Sequence, residues 1–232
     1  AAREERFVFE LTVDQLLLAA SLFWALAANR FFLGQALAGR MLAEPGTWAF
    51  GLALVVMLAA LHHLLLAPLA NRWSVKPLLA VLIVVTALAV HYMQAFGVYL
   101  DPTMLRNVLR TDVAEARELF SWSLLPDLTL YAALPLLLLW RVRLVRRPWL
   151  RAAAIRAGSA LAAAAVLVGT LLAVFQPFAS LMRNHKELRY LITPAAPLWS
   201  LVRVLSHDAQ AANLPRQPIG ADARLGASWA AA

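Results

Sequence analysis

Trp48-Ala-Phe-Gly-Leu-Ala-Leu-Val-Val-Met-Leu-Ala-Ala-Leu-His62-His63-Leu-Leu-Leu-Ala-Pro68-Leu-Ala70 runs for 23 residues without an Asp, Glu, Lys or Arg. A bilayer core about 30 Å thick is crossed by roughly 20 residues of helix, so this block is long enough to span. Four further blocks meet the same requirement: Thr12 to Phe32, Pro77 to Tyr99, Leu124 to Trp140 and Ala153 to Phe175. The 232-residue chain is 62% hydrophobic and 15% charged, with mean hydropathy +0.69, against about 25% charged residues in an average soluble protein. These patterns predict an all-α, polytopic membrane protein with five transmembrane helices and short helices outside the bilayer.

The net charge of +8 and a pI near 11.0 would suggest a nucleic-acid partner in a soluble domain. Here the cations sit between apolar blocks, so membrane topology accounts for them and no nucleic acid is expected. Arg141, Arg143, Arg146, Arg147 and Arg151 follow the fourth span without an acid, and Arg72 and Lys76 follow the second. Short loops rich in Lys and Arg stay on the cytoplasmic side. The loop from Asp101 to Ser121 balances Arg106, Arg110 and Arg117 against Asp101, Asp112, Glu115 and Glu118, as expected outside. Five spans then put the N-terminus in the cytoplasm and the C-terminus outside. The acidic start, with Glu4, Glu5, Glu10 and Asp14, is unlike a cleaved signal peptide, so the first span is expected to remain as an anchor.

Trp48, Trp73, Trp122, Trp140 and Trp149 fall near predicted span ends, where an amphipathic indole prefers to sit. Asp101-Pro102 offers an N-cap followed by a proline at the first helical position, and Asp112-Val-Ala-Glu115 matches a capping box. The organisation read from these signals is a five-helix membrane domain over residues 1–177, including an outside loop helix at 101–121. Membrane-surface helices at 178–205 follow, where Leu198, Trp199, Leu201, Val202, Val204 and Leu205 surround a single Arg203. A small, polar stretch at 206–232 reads as a linker towards a further domain.

The sequence holds little chemistry of its own. There is no Cys, hence no disulfide framework and no thiolate site. His62 and His63 point about 100° apart on a helix and read as packing inside the bundle, while His91, His185 and His207 stand isolated in sequence. Asp14 and Asp127 lie about one turn inside their spans, within reach of the interface. No zinc-ligand spacing, phosphate loop or nucleophile elbow occurs, so no metal and no catalytic residue is assigned.

Two polar groups stand out. Asn107, Thr111 and Glu115 are spaced by four residues, and on a continuous helix they would share one face over about 12 Å. Such a row could hold an ammonium-bearing lipid headgroup. The competing reading makes Glu115 a capping residue and leaves Asn107 and Thr111 facing water. The second group is Arg183, His185, Lys186 and Arg189 just past the fifth span, where cations attract lipid phosphates or form a solvated basic turn.

At these residues a family resemblance is visible. His91-Tyr-Met-Gln94-Ala-Phe-Gly97-Val-Tyr-Leu-Asp101, then Met104-Leu-Arg-Asn107-Val-Leu-Arg-Thr111-Asp112-Val-Ala-Glu115-Ala116, and Arg183-Asn-His-Lys-Glu-Leu-Arg-Tyr-Leu-Ile-Thr193-Pro194 resemble the N-terminal membrane domain of the lipid A phosphoethanolamine transferases. That family includes the enzymes of transferable colistin resistance. The likeness extends through Pro218-Ile-Gly220-Ala-Asp222-Ala223, which resembles the linker before the family's catalytic domain. Gln94 stands where an acid is common, and Ala196 where an Asn often follows the Thr-Pro pair. The resemblance implies a catalytic half with zinc and a threonine nucleophile, neither of which occurs before Ala232. It implies phosphatidylethanolamine as donor and a lipid A phosphate as acceptor, with Asn107, Thr111 and Glu115 engaging the phosphoethanolamine group. The expected function is a bacterial inner-membrane domain that anchors its own C-terminal catalytic domain, helps bind the donor lipid, and is inactive alone. A small multi-pass transporter or a membrane scaffold without lipid chemistry is the alternative.

Overall fold

The computed structural model describes residues 8–112, 114 and 121–212. Strand β1 (Phe9–Leu11) leads into α1 (Val13–Phe23). Thr12 caps α1: its hydroxyl accepts from the Gln15 amide at 3.4 Å, while the Gln15 side chain accepts from the Thr12 amide at 2.9 Å. The two bonds satisfy donors that a helix start otherwise leaves open. The chain continues through a π-helical stretch, Trp24–Ala28, to Asn29 and then α2 (Arg30–Leu37). Helices α3 (Pro45–Leu66) and α4 (Val75–Phe96) follow, and α4 stops at Gly97, whose φ of 63° is a left-handed cap that glycine adopts without steric cost.

Beyond Gly97 lies α5 (Pro102–Arg110). The next span is assembled from α6 (Leu124–Leu128), a π-helical stretch (Thr129–Ala133) and α7 (Leu134–Arg141). Strand β2 (Val142–Leu144), α8 (Trp149–Ala173), α9 (Phe175–Asn184), a 3-10 turn at Lys186–Leu191 and α10 (Ala195–Ala212) complete the order. Helix α10 therefore continues past Ser206, and residues 213–232 lie outside the described part.

Among the described residues four helices are long and apolar enough to cross a membrane: Pro45–Leu66, Val75–Phe96, Leu124–Arg141 and Trp149–Ala173. The first span in chain order departs from the straight helix expected between Thr12 and Phe32. It is a pair, Val13–Ala28 and Arg30–Leu37, bent by 51° at Asn29. No proline causes the bend. A π-helical turn lengthens the backbone ring to an i→i+5 bond, Asn29 N to Trp24 O at 3.0 Å, and such turns are a recognised source of kinks.

A second departure is a two-stranded parallel pairing in which Phe9, Glu10 and Leu11 lie opposite Val142, Arg143 and Leu144. It ties the start of the first span to the end of the fourth without altering the all-α class. The interior divides into two apolar clusters. One joins Leu17, Trp24, Val75, Leu79, Ile83 and Tyr131; the other joins Phe32, Phe50, Leu54, Met93, Leu188 and Leu191. Around them Leu52, Val81, Leu138, Leu161 and Leu172 are exposed, as side chains facing lipid tails should be.

Candidate functional site

The end of the bundle beyond Gly97 carries the predicted headgroup row. Asp101 is the N-cap of α5, accepting from the Met104 amide at 2.7 Å, and Pro102 occupies the first turn, so this helix start forms as the sequence predicts. Asn107 is exposed on α5. Thr111 is not helical: it is the C-cap, with extended backbone at φ −62° and ψ 130°. Its amide and hydroxyl both donate to the Asn107 carbonyl, at 2.9 and 3.0 Å. The α-helical register that would align Asn107, Thr111 and Glu115 therefore ends at Arg110, and the expected shared face is corrected at Thr111. Val113 and Glu115 of the Asp112–Glu115 capping box lie outside the described residues.

What holds α5 in place is α10. The buried Ser200 hydroxyl donates to the Leu100 carbonyl at 2.8 Å, and Arg106 faces Asp208 at 3.4 Å. The segment before α5 and the helix itself are thus fastened to the last described helix by two separate contacts.

Of the second predicted group, Arg183, His185, Lys186 and Arg189 are all exposed. His185 Nδ1 lies 3.3 Å from Glu187 Oε1. Arg189 separates from the others: its guanidinium lies 4.9 Å over the Tyr190 ring, and with Arg203, Tyr190 and Trp199 it lines a cavity of about 240 Å³. Among the described residues no acid lines that cavity. Sequence reasoning did not join Arg203 to Arg189. The available signal was that Arg203 is the lone cation in the apolar run Pro197–Leu205.

Three polar groups that the sequence left apart meet inside the bundle. Asn29 and Thr193 are fully buried. The Asn29 amide nitrogen donates to Thr193 O at 2.7 Å and Trp24 O at 2.9 Å, while Asn29 Oδ1 accepts from Thr193 N at 2.9 Å. His62 Nε2 lies 2.9 Å from the same Thr193 carbonyl and its Nδ1 2.7 Å from Leu58 O. His62 is thus a packed, hydrogen-bonded residue, and His63 Nε2 lies 3.1 Å from the Ser159 hydroxyl. His91, isolated in sequence, has its Nδ1 2.8 Å from Asp127 Oδ2 across α4 and α6, with His91 only 2% exposed. Ionisable groups within spans are costly unless they find a partner, and this contact gives Asp127 one on the neighbouring span. Gln94, where the resemblance leads one to expect an acid, accepts from Arg30 at 2.9 Å.

Among the described residues no group of three or more His, Asp or Glu is placed to hold a metal ion.

Comparison with known proteins places these features in one family. The sequence model described as phosphoethanolamine transferase EptA/EptB matches residues 58–209. Phosphatidylethanolamine transferase Mcr-1 of Escherichia coli is 29% identical over 148 residues, covering 64% of this chain and 27% of Mcr-1. Phosphoethanolamine transferase EptA of Escherichia coli strain K12 is 26% identical over 208 residues, covering 89% of this chain and 38% of that protein. The solved lipooligosaccharide phosphoethanolamine transferase A of Neisseria meningitidis, an integral membrane protein, superposes with a TM-score of 0.82 at 23% identity, over 92% of this chain and 41% of its own. The chain thus spans well under half the length of these relatives. It is a multi-pass membrane protein, and it belongs to the EptA/EptB phosphoethanolamine transferase family as that family's N-terminal membrane domain.

Proposed function

We propose that this domain presents phosphatidylethanolamine to a catalytic domain that follows it in the intact enzyme, for transfer of phosphoethanolamine to a lipid A phosphate. The observation that carries the reading is that α5, with Asn107 exposed, is fastened to α10. The headgroup loop and the helix leading out of the membrane domain then share one support. Asn107, Thr111 and Glu115 engage the donor headgroup, with the Glu115 carboxylate opposing its ammonium. Arg189 and Arg203, with no acid beside them among the described residues, suit a lipid phosphate. Zinc and the nucleophile belong to the catalytic domain, so the membrane domain alone is inactive. The setting is the bacterial inner membrane, and the outcome is resistance to polymyxins such as colistin.

Substitution in the intact enzyme tests the headgroup assignment. Glu115→Gln keeps the shape and removes the charge. Losing a charge-assisted contact worth about 1.5–3 kcal/mol lowers kcat/KM by about 10- to 150-fold. Asn107→Ala loses a neutral contact and costs less, because such bonds contribute about 0.5–1.5 kcal/mol. If Glu115 only caps a helix, Glu115→Gln is silent, since Gln also serves in a capping box. Full activity of that variant removes the assignment.

Orientation has its own test. The absence of Cys makes single-cysteine labelling free of background. With the N-terminus cytoplasmic and the C-terminus periplasmic, Arg146→Cys labels only after the membrane is made permeable, whereas His185→Cys labels in intact spheroplasts. Labelling of position 146 from outside refutes the topology.

A further inference from the structure

At the end of the bundle opposite α5, the start of α1, the connection between α3 and α4, the segment after β2 and the first turns of α8 enclose a cavity of about 530 Å³. Among the described residues Arg72, Arg146, Arg147 and Arg156 line it, with Asp14 as the single carboxylate. Four cations less one anion leave a formal charge of +3 on the lining.

The cavity is organised by its own contacts. Asp14 sits between two guanidiniums, 3.4 Å from Arg147 Nη1 and 3.5 Å from Arg156 Nε, with side chains 13%, 31% and 18% exposed respectively. One carboxylate thus accepts a hydrogen bond from Arg147, stands in ion-pair range of Arg156, and neutralises only one of the two. On the other wall, the Asn71 side chain accepts from the amides of Trp73 and Ser74 at 2.8 and 3.0 Å. That turn sets Arg72, whose guanidinium lies 4.3 Å over the Trp73 ring. Trp73 and Trp149 are each 76% exposed at the rim, where indoles mark the bilayer interface.

We propose that this cavity binds the headgroup of an anionic glycerophospholipid of the leaflet at this end, a phosphodiester lipid of the phosphatidylglycerol class. Guanidiniums match phosphate oxygens bidentately, and basic pockets between membrane helices on the cytoplasmic side recur as anionic-lipid sites. Charge selects an anionic lipid over a zwitterionic one, because four arginines face one carboxylate on the described lining. Acyl chains also have a surface to lie on. Helix α8 starts at the cavity with Trp149, Ala152, Ala153 and Arg156, and none of its apolar stretch is buried within the chain. A free phosphate would use the arginines and leave that surface unused. The site is separate from the headgroup loop and from the Arg189 and Arg203 cavity, and it does not depend on the donor-lipid reading.

The test uses the intact, delipidated protein in a mild detergent, with the thermal midpoint followed as phosphatidylglycerol, phosphatidylcholine or inorganic phosphate is added. Phosphatidylglycerol raises the midpoint, and the other two raise it little at equal concentration. Arg72→Gln with Arg146→Gln removes two exposed cations that hold no fold contact with Asp14. It weakens apparent phosphatidylglycerol affinity about ten- to thirty-fold while leaving the lipid-free midpoint unchanged. Arg141→Gln with Arg143→Gln removes the same charge at the same end, outside this cavity, and changes affinity less than twofold. Equal weakening by both pairs reduces the effect to diffuse surface charge and overturns the site. Protection by inorganic phosphate equal to that by lipid makes it a free-anion site and overturns the lipid assignment, as does equal protection by phosphatidylcholine. An Arg72→Gln, Arg146→Gln variant that binds phosphatidylglycerol like the parent overturns the proposal outright.

Discussion

Trp24→Ala destabilises the domain by about 3–5 kcal/mol, the cost of emptying a large buried aromatic site, and lowers its thermal midpoint in detergent accordingly. Trp24 is fully buried in the apolar cluster that it forms with Leu17, Val75, Leu79, Ile83 and Tyr131. Its ring lies 5.7 Å from that of His62, and its indole N–H donates to the buried Thr86 hydroxyl at 3.0 Å. Inside a bilayer the loss is chiefly of packing contacts, because lipid tails are as apolar as the core. Trp24→Phe separates the two contributions. It keeps most of the ring and loses one neutral hydrogen bond, worth about 0.5–1.5 kcal/mol, and Thr86 can turn its hydroxyl to a carbonyl of its own helix. The expected order is a large drop for Ala and a small one for Phe. A Trp24→Ala protein that melts with the parent would mean that Trp24 does not join the first, second and third spans as described.

That tryptophan also marks where sequence reading stops. The spans at Pro45–Leu66, Val75–Phe96, Leu124–Arg141 and Trp149–Ala173 lie close to the blocks expected from hydropathy, because burial in lipid demands length and apolarity and nothing finer. The capped start of α5 was legible for a similar reason: Asp101-Pro102 acts within one turn. The break at Asn29 was not, since the side chain that stabilises it bonds to Thr193, 164 residues away. Nor was the His91–Asp127 pair, which joins two spans, or the three-residue pairing of β1 with β2, too short to leave a periodic signal. At the candidate site, spacing placed Asn107 and Thr111 on one helix face. The helix ends between them because Thr111 turns its amide and hydroxyl back onto Asn107 O. The family resemblance identified the loop, while its geometry needed the structure.

Asn29→Ala should cost about 2–4 kcal/mol, roughly one orphaned buried donor and two lost hydrogen bonds. The fully buried Thr193 amide loses its acceptor, and the carbonyls of Trp24 and Thr193 each lose a donor. The Thr193 amide fixes which end of the Asn29 side chain is oxygen, so the nitrogen must face the two carbonyls. Asn29→Asp keeps the shape but turns an acceptor towards them, and it is expected to be at least as damaging as Ala. The sharper measurement is a double-mutant cycle with His62→Phe, which keeps a ring and removes Nε2. Asn29 and His62 share the Thr193 carbonyl, at 2.7 and 2.9 Å. With the His62 proton on Nε2, either single substitution leaves that carbonyl one donor, and only the double leaves it with neither. The combined loss of stability therefore exceeds the sum of the singles by about 1–3 kcal/mol, the penalty for a buried carbonyl without a partner. Strict additivity would show that His62 does not donate to the Thr193 carbonyl.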